Sequence, residues 1–202
     1  MRFLSLPVIA LIAATTTWSC QNDEPTTEPV DEPTTETTDA VEAEADAVAV
    51  ETTGDVIGRM NDSGFDVAFP GTPQHSVETL PLEIGDVDLH TYIYESGISK
   101  AYMVAYSDYP STLIDGSDPS TMLVGAKDGA MGNLGIDNME VEQDIEIDGH
   151  PGLYCKGNGN GWHVMYEFYL VGNRLYQVAI LQDGSYPEST DADDFFGSFR
   201  LI

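Results

Sequence analysis

The sequence predicts an α+β domain, with a mostly antiparallel central sheet flanked by helices. Three observations support this fold class. Several segments alternate apolar and polar residues with the period of two that a half-buried strand requires. Successive segments are separated by short turn sequences, such as Ser96-Gly97 and Gly172-Asn173, which favour antiparallel neighbours. Two further segments have apolar residues at helical spacing, and we expect these helices to pack on the sheet.

The predicted strands follow one another along the chain. Apolar residues alternate over residues 65–69, and Pro70-Gly71 ends this first strand. The other predicted strands are residues 87–95, 100–109, 139–147, 162–171 and 174–181. We expect Gly172-Asn173 to supply the positive φ values of a two-residue hairpin turn, and Gly149 and Gly152 to form a corner between two strands.

Two helices are expected among these strands. Asp118 is a typical N-cap residue and Pro119 suits the first helical position, so a helix should begin there. Glycines at 132 and 135 can end it, and its expected buried face consists of Met122, Leu123, Ala126, Ala130 and Met131. A closing helix is expected over residues 191–199, with a buried side made of Phe195, Phe196 and Phe199.

Four motifs carry a resemblance to a known group of proteins. They are residues 65–73 (Phe-Asp-Val-Ala-Phe-Pro-Gly-Thr-Pro), 149–152 (Gly-His-Pro-Gly), 169–177 (Tyr-Leu-Val-Gly-Asn-Arg-Leu-Tyr-Gln) and 195–199 (Phe-Phe-Gly-Ser-Phe). In this order they resemble uncharacterised bacterial envelope lipoproteins that look like PsbP-like α/β sandwiches, the group of the photosystem II extrinsic subunits. The resemblance covers roughly residues 65–201. It implies a fold used for docking, without a shared catalytic constellation, ligand or cofactor.

The first nineteen residues have the features of a signal peptide. Arg2 precedes an apolar run over residues 3–14, which is shorter than the ~20 residues of a membrane-spanning helix. The stretch Thr17-Trp18-Ser19-Cys20 resembles the end of a bacterial lipoprotein signal, so we expect residues 1–19 to be removed and Cys20 to be lipidated. This predicts an exported protein of the cell envelope, at the outer membrane. The alternative is an ordinary signal peptide, cut near Ala14 or Ser19, and a secreted protein.

Residues 20–53 are predicted to form a disordered tether after the lipidated cysteine. Residues 21–53 contain eleven Asp or Glu, eight Thr, three Pro and no Lys or Arg. Such a segment has too little apolar surface to offset the entropy lost on ordering. The folded domain is then residues 54–202, whose twenty-four acidic and six basic residues give a net charge of −18. This charge excludes nucleic acid as a partner, because phosphate binding requires clustered Lys and Arg. A lipid anchor in the membrane and an envelope protein partner are expected instead.

Cys155, His163 and Glu167 are the candidate catalytic residues. If residues 157–161 form a hairpin loop, Cys155 lies across from His163 with their Cβ atoms ~5 Å apart. Glu167 then lies on the same face as His163, and the three could act as a Cys–His–carboxylate nucleophile. The favoured interpretation is that Cys155 is a small buried apolar residue.

Five acidic residues at a spacing of two form the candidate metal site: Glu140, Glu142, Asp144, Glu146 and Asp148. In a strand they share one face, opposite the apolar residues Met139, Val141, Ile145 and Ile147. Asp144, Glu146 and Asp148 match the start of a calcium-binding loop, but Cys155 stands where such a loop needs a bidentate Glu. A solvated strand face is therefore the favoured interpretation, and no metal or cofactor is expected.

The other three histidines, His75, His90 and His150, are far apart in sequence and lack metal-ligand spacing. We expect each of them at the surface or in a corner of the fold. Taken together, the sequence favours a cell-envelope lipoprotein with a non-catalytic binding or assembly domain of unknown ligand. A secreted or envelope hydrolase that uses Cys155 and His163 is the alternative.

Overall fold

One antiparallel sheet takes up most of the computed structural model, which describes residues 64–82 and 85–202. The strands of this described part are β1 (Phe65–Asp66), β2 (Gln74–Leu82), β3 (Gly85–Ser96), β4 (Lys100–Asp108), β5 (Asn138–Ile147), β6 (His150–Gly159), β7 (Trp162–Val171), β8 (Arg174–Asp183) and β9 (Arg200–Leu201). The helices are α1 (Ser111–Ile114), α2 (Pro119–Leu134) and α3 (Ser189–Phe196). The predicted signal peptide, Cys20 and the predicted tether lie outside the described residues.

The sheet consists of two groups of strands that are each local in sequence. Its seven strands have the order β2-β3-β4-β8-β7-β6-β5, and neighbouring strands are antiparallel throughout. Strands β2 to β4 form one meander and β5 to β8 form another. The β4–β8 ladder joins the two, from Lys100 opposite Gln182 to Asp108 opposite Arg174. The α+β class with a mostly antiparallel sheet is thereby confirmed.

Alternation along the strands divides the apolar side chains between two faces of the sheet. On one face, Val164 and Tyr166 pack with Leu123 and Met131 of α2. On the other face, the buried set includes Val178 and Ile180 of β8, Phe195 of α3, and Phe65, Val67, Phe69 and Phe199. We call these the α2 face and the α3 face. Helix α2 therefore packs on one side of the sheet and α3 on the other.

Helix α2 begins and ends where the sequence predicts. The Asp118 side chain accepts a hydrogen bond from the Thr121 backbone N–H at 3.1 Å, and Pro119 is the first helical residue. Gly135 ends the helix in the left-handed conformation, with φ 67°. Leu123, Ala130 and Met131 are buried as expected, whereas Met122 and Ala126 are only half-buried.

The β1 and β9 strands form a separate two-stranded pair on the α3 face. Phe65 lies opposite Leu201, and the Ile202 N–H donates to the Gly64 carbonyl at 3.2 Å. The Phe65 ring contacts those of Tyr92, Tyr106, Tyr176 and Phe199, with centroid separations of 5.7–6.3 Å. Residues 65–69 do alternate as expected, but regular pairing covers only Phe65 and Asp66.

The structure departs from the sequence-based predictions at three further points. Strand β2 was not predicted, because its residues are mostly polar and it contains Pro81. Gly152 lies inside β6 rather than in a corner. Its cross-strand partner is Tyr169, and a Cβ at position 152 would come 2.5 Å from Cδ1 of that ring. The closing helix runs from Ser189 to Phe196, and Phe199 is buried in the segment between α3 and β9.

The three turns that connect β5, β6, β7 and β8 follow two patterns. Asp148-Gly149 and Asn160-Gly161 have positive φ at both positions, with 50° and 81° in the first turn and 50° and 87° in the second. In the β7–β8 turn only Gly172 is positive, with φ 61°, so the expectation of a positive φ at Asn173 is wrong. This turn accordingly has the one-glycine pattern of a II′ hairpin.

Gly159 is the point where the α2–β5 connection touches the sheet. A Cβ at this position would lie 2.8 Å from both the Asp137 N and the Ile136 Cα, and closer still to the Gly135 carbonyl oxygen. All three neighbours are backbone atoms of the connection. The absence of a side chain at 159 therefore lets this segment lie directly on β6.

Candidate functional site

Cys155 and His163 lie on opposite faces of the sheet. Because the β6–β7 turn is only Asn160-Gly161, residues 157–159 belong to β6, and Gly159 lies opposite Trp162. Cys155 therefore lies opposite Tyr166, whereas His163 lies opposite Asn158. Cys155 belongs to the core of the α2 face, together with Val164 and Tyr166 of β7. Because side chains alternate along a strand, His163 faces the other side of the sheet. The expected adjacency of Cys155 and His163 is wrong, because the hairpin loop is shorter than assumed.

The Cys155 thiol is held in its neutral form. Its side chain is fully buried, and burial raises the pKa of the thiol to about 12, with a smaller opposing effect of Lys127 and a further rise from Glu142. A nucleophilic cysteine requires a thiolate in a partly exposed, electropositive setting. The environment of Cys155 is the reverse of that setting.

Glu167 and His163 share the α3 face but have different partners. The Tyr169 hydroxyl donates to Glu167 Oε2 at 2.8 Å. Burial raises the pKa of the Glu167 carboxyl, and this hydrogen bond partly offsets the rise. The His163 ring instead meets the Tyr186 ring edge to face, with centroids 4.7 Å apart. The three candidate catalytic residues are thus distributed over two faces and three different environments.

The acidic residues of β5 are exposed along an edge of the sheet, as expected for a solvated face. A β-bulge between Met139 and Val141 breaks the alternation, so the five acids do not follow one regular ladder. Met139 is consequently on the α2 face with Glu142, not opposite it as predicted. Asp148 has left the strand and lies in the β5–β6 turn.

Glu142 forms an ion pair with Lys127 of helix α2. Lys127 Nζ donates to Glu142 Oε2 at 2.6 Å and lies 3.2 Å from Asp128 Oδ1. Burial by itself would lower the pKa of Lys127, but its hydrogen bonds to Glu142 and Asp128 outweigh that effect and raise it. Asp144 lines a groove of about 260 Å³, together with Leu123 and Val124 of α2 and Leu153 of β6. Among residues 64–82 and 85–202, no three His, Cys, Asp or Glu side chains converge to hold a metal ion.

Most of the tyrosines are packing residues. Those with less than a tenth of their surface exposed are Tyr92, Tyr102, Tyr106, Tyr166, Tyr169 and Tyr176. Five of them belong to the α3 face and Tyr166 to the α2 face.

In the described part of the chain, no helix has the length and apolar character needed to cross a membrane.

Two histidines that are distant in sequence, His75 and His90, meet on the α3 face. His75 of β2 lies opposite Tyr92, and His90 of β3 lies opposite Tyr106. The His75 ring stacks on Tyr92 with centroids 4.3 Å apart, and the His90 ring stacks on Tyr106 at 4.5 Å. His90 Nδ1 and His75 Nε2 are 3.4 Å apart. We call these four residues the histidine array.

The signal for the histidine array lies in the unpredicted strand β2. Valine and threonine alternate with other residues after His75, which is typical of a strand, and residues 87–95 were already expected to be one. Pairing these two strands as a hairpin would have brought His75 towards His90. Strand β2 was not predicted because its residues are mostly polar and include Pro81, and the proximity of His75 and His90 was therefore not predicted either.

The chain was also compared with known proteins. No protein-family model and no curated protein matches it. Among solved structures it is similar to the crystal structure of a protein of unknown function from Pseudomonas aeruginosa, described as a putative regulator. The two chains are 14% identical, and the match covers 53% of this chain and 83% of that chain with a TM-score of 0.33. A likeness at this level supports no conclusion about fold family or function.

Proposed function

We propose that this chain is an exported lipoprotein of the cell envelope, held at the outer membrane by a lipidated Cys20. Its folded part would be a PsbP-like domain that acts in binding or assembly rather than in catalysis. The observation that carries the proposal is the position of Cys20, between the apolar run over residues 3–14 and the acidic residues 21–53. A cysteine at this boundary would join a membrane anchor to a spacer and a single domain.

The charge of the protein supports a covalent anchor. With a formal net charge of −28, the chain is repelled by anionic lipid surfaces. A single acyl chain binds a membrane only marginally, so stable attachment takes more than one lipid chain. A multiply acylated N-terminal cysteine would meet this requirement without any basic patch.

The geometry of the folded part favours binding over nucleophilic catalysis. Cys155 is fully buried and His163 faces the other side of the sheet, so the nucleophile that the alternative requires is not assembled. An antiparallel sheet with a helix on each face is compatible with a PsbP-like sandwich. The motifs within residues 65–201 are the basis for that family assignment.

Intact-mass spectrometry of the mature protein tests the anchor. We expect a chain that begins at Cys20 and carries the added mass of the lipid. A matched pair of variants sharpens the test, because the chain has two cysteines. Cys20→Ala should move the protein from the membrane fraction to the soluble fraction, whereas Cys155→Ala should leave it membrane-bound. A mature protein with an unmodified Cys20 would overturn the proposal.

Affinity capture from solubilised envelope tests the binding role. The bait is the lipidated protein with its tether retained, and a second sample contains an excess of untagged protein as competitor. We expect an envelope protein that is captured in the first sample and displaced in the second. Capture that the competitor does not reduce would count against a specific binding surface.

A further inference from the structure

The two histidines of the array place a pair of imidazole nitrogens at a metal-chelating distance. The nitrogens are 3.4 Å apart while the ring centroids are 5.6 Å apart, so the two nitrogens lie between the rings and face each other. A tetrahedral ion with Zn–N bonds of about 2.0–2.1 Å holds two nitrogens roughly 3.3–3.4 Å apart. The separation in the array therefore equals the span of one bound ion.

We propose that His75 and His90 form a two-imidazole site for a divalent transition metal ion, with water completing its coordination. Imidazole is a preferred ligand for zinc, copper and nickel. Of these, Cu²⁺ forms the most stable complexes with a given set of nitrogen ligands, so it is the most sensitive probe. The inference does not depend on the lipid anchor.

The tyrosines beneath the histidines hold the two rings in place. His90 is parallel to Tyr106 within 4°, and His75 is parallel to Tyr92 within 11°. Both tyrosines are buried in the α3 face, so they form a fixed base on which the imidazoles rest. A site whose ligand orientation is already fixed loses less entropy when it binds an ion.

The charges around the array allow a cation to approach. Asp88 precedes His90 by two residues on the same face of β3, and it accepts a hydrogen bond from Thr79 Oγ1 at 2.7 Å. Arg174 lies over the Tyr106 ring at 4.3 Å, but its charge is paired with Asp108 Oδ2 at 2.7 Å. His75 is exposed, and the net negative charge of the whole protein raises the local concentration of cations.

Metal binding at this site requires only a proton shift within a ring. In the metal-free protein a neutral imidazole can donate its N–H to the facing nitrogen, which is the long contact at 3.4 Å. To bind an ion, the donating ring moves its proton to its other nitrogen, and both facing nitrogens then offer lone pairs. No net proton is lost from the pair of neutral rings.

Isothermal titration of Cu²⁺ and of Zn²⁺ into the mature chain carrying Cys20→Ala tests the proposal. This variant is produced without the signal peptide, so that neither a lipid nor a free thiol is present at position 20. Mg²⁺ at roughly millimolar concentration is included, because it occupies carboxylate sites but is a poor partner for imidazole. We expect one ion per chain, and a loss of about tenfold or more in affinity for His75→Gln and for His90→Gln, since even removing a residue that only supports a ligand costs 10–100-fold.

His150→Gln is the matched control, because His150 is the first residue of β6 near the opposite edge of the sheet. It should bind the ions as the Cys20→Ala chain does. Electron paramagnetic resonance of the Cu²⁺ complex gives a second readout, with coupling to two nitrogen donors expected in the Cys20→Ala chain and to one in each His variant. Thermal melting of each variant checks that the fold is kept. Equal affinity in all three His variants, or a copper spectrum without nitrogen coupling, would overturn the proposal.

Discussion

Replacing Gly159 with alanine is expected to destabilise the domain strongly, although it adds only one methyl group. The new Cβ would lie 2.8 Å from Asp137 N and from Ile136 Cα. An ordinary van der Waals contact begins at 3.4 Å, so either atom would have to move by more than half an ångström. Both are backbone atoms of the α2–β5 connection, which cannot rotate away as a side chain can.

The size of the effect follows from the cost of overpacking. Extra methyl groups in tightly packed positions cost about 1–3 kcal/mol, occasionally more. Because three backbone atoms oppose the methyl group at 159, we expect the upper part of this range, about 2–3 kcal/mol. For a domain of this size each 1 kcal/mol corresponds to roughly 2–4 °C in melting temperature, so Gly159→Ala should lower Tm by about 5–10 °C.

Gly125 supplies the matched control for this substitution. It lies in the interior of α2, and a Cβ added there meets no atom within 4 Å. Gly125→Ala should therefore stabilise the domain by about 0.8–1.0 kcal/mol, the difference in helix propensity between the two residues. Urea unfolding of the two variants and the wild type, followed by circular dichroism, measures both changes. A free energy of unfolding for Gly159→Ala within about 0.5 kcal/mol of wild type would refute the packing argument.

Three further predictions concern charge, thiol reactivity and helix capping. Arg174 lowers the pKa of Asp108 below its ordinary value of 3.8, so the stabilisation is present above that pH and is lost as the pH falls through the lowered pKa. Asp108→Asn should therefore be less stable than wild type by about 0.5–1 kcal/mol at pH 7, with a gap that narrows in urea melts below pH 4 and not above it. In the Cys20→Ala chain, Cys155 should resist iodoacetamide at pH 8 until the protein is unfolded, and modification of the native protein at the rate of a free thiol would contradict its burial. Asp118→Ala should cost about 1 kcal/mol, whereas Asp118→Asn keeps a capping acceptor and should cost little, so equal losses in thermal melts would argue against the cap.

The parts of the fold that sequence predicts well are those fixed by local signals. Asp118-Pro119 and Gly135 define α2 through their own backbone preferences, and the structure places both ends of the helix there. Apolar stretches separated by short turn sequences likewise located β3, β4, β7 and β8 to within a few residues. Of these, β4 and β8 contribute side chains to both cores. Strand β2 escaped because it lies at an edge and presents mostly polar residues, so its pairing with β3 depends on tertiary contacts.

The candidate catalytic site was predicted wrongly because the sequence does not fix the pairing register of β6 and β7. The glycines and asparagines of residues 157–161 are typical of a loop, yet only Asn160 and Gly161 form the turn. Glycine is needed at 157 and 159 because Met139 and the α2–β5 connection press on β6 at these two positions. That reason comes from contacts distant in sequence, so no local pattern could place Cys155 relative to His163. The proximity of His75 and His90 was missed for a different reason, because β2 was not recognised as a strand.

The pairing of β1 with β9 has a consequence for the order in which the domain can be completed. Phe65 is synthesised early, whereas the residues that cover it, Phe199 and Leu201, follow long after it in the chain. Until then the α3 face lacks α3 and its phenylalanines, and it exposes a broad aromatic surface. Partly folded chains with exposed apolar surface are prone to aggregate. Closure of the α3 face therefore has to wait for the pairing of β1 with β9, which joins two segments that lie far apart in the sequence.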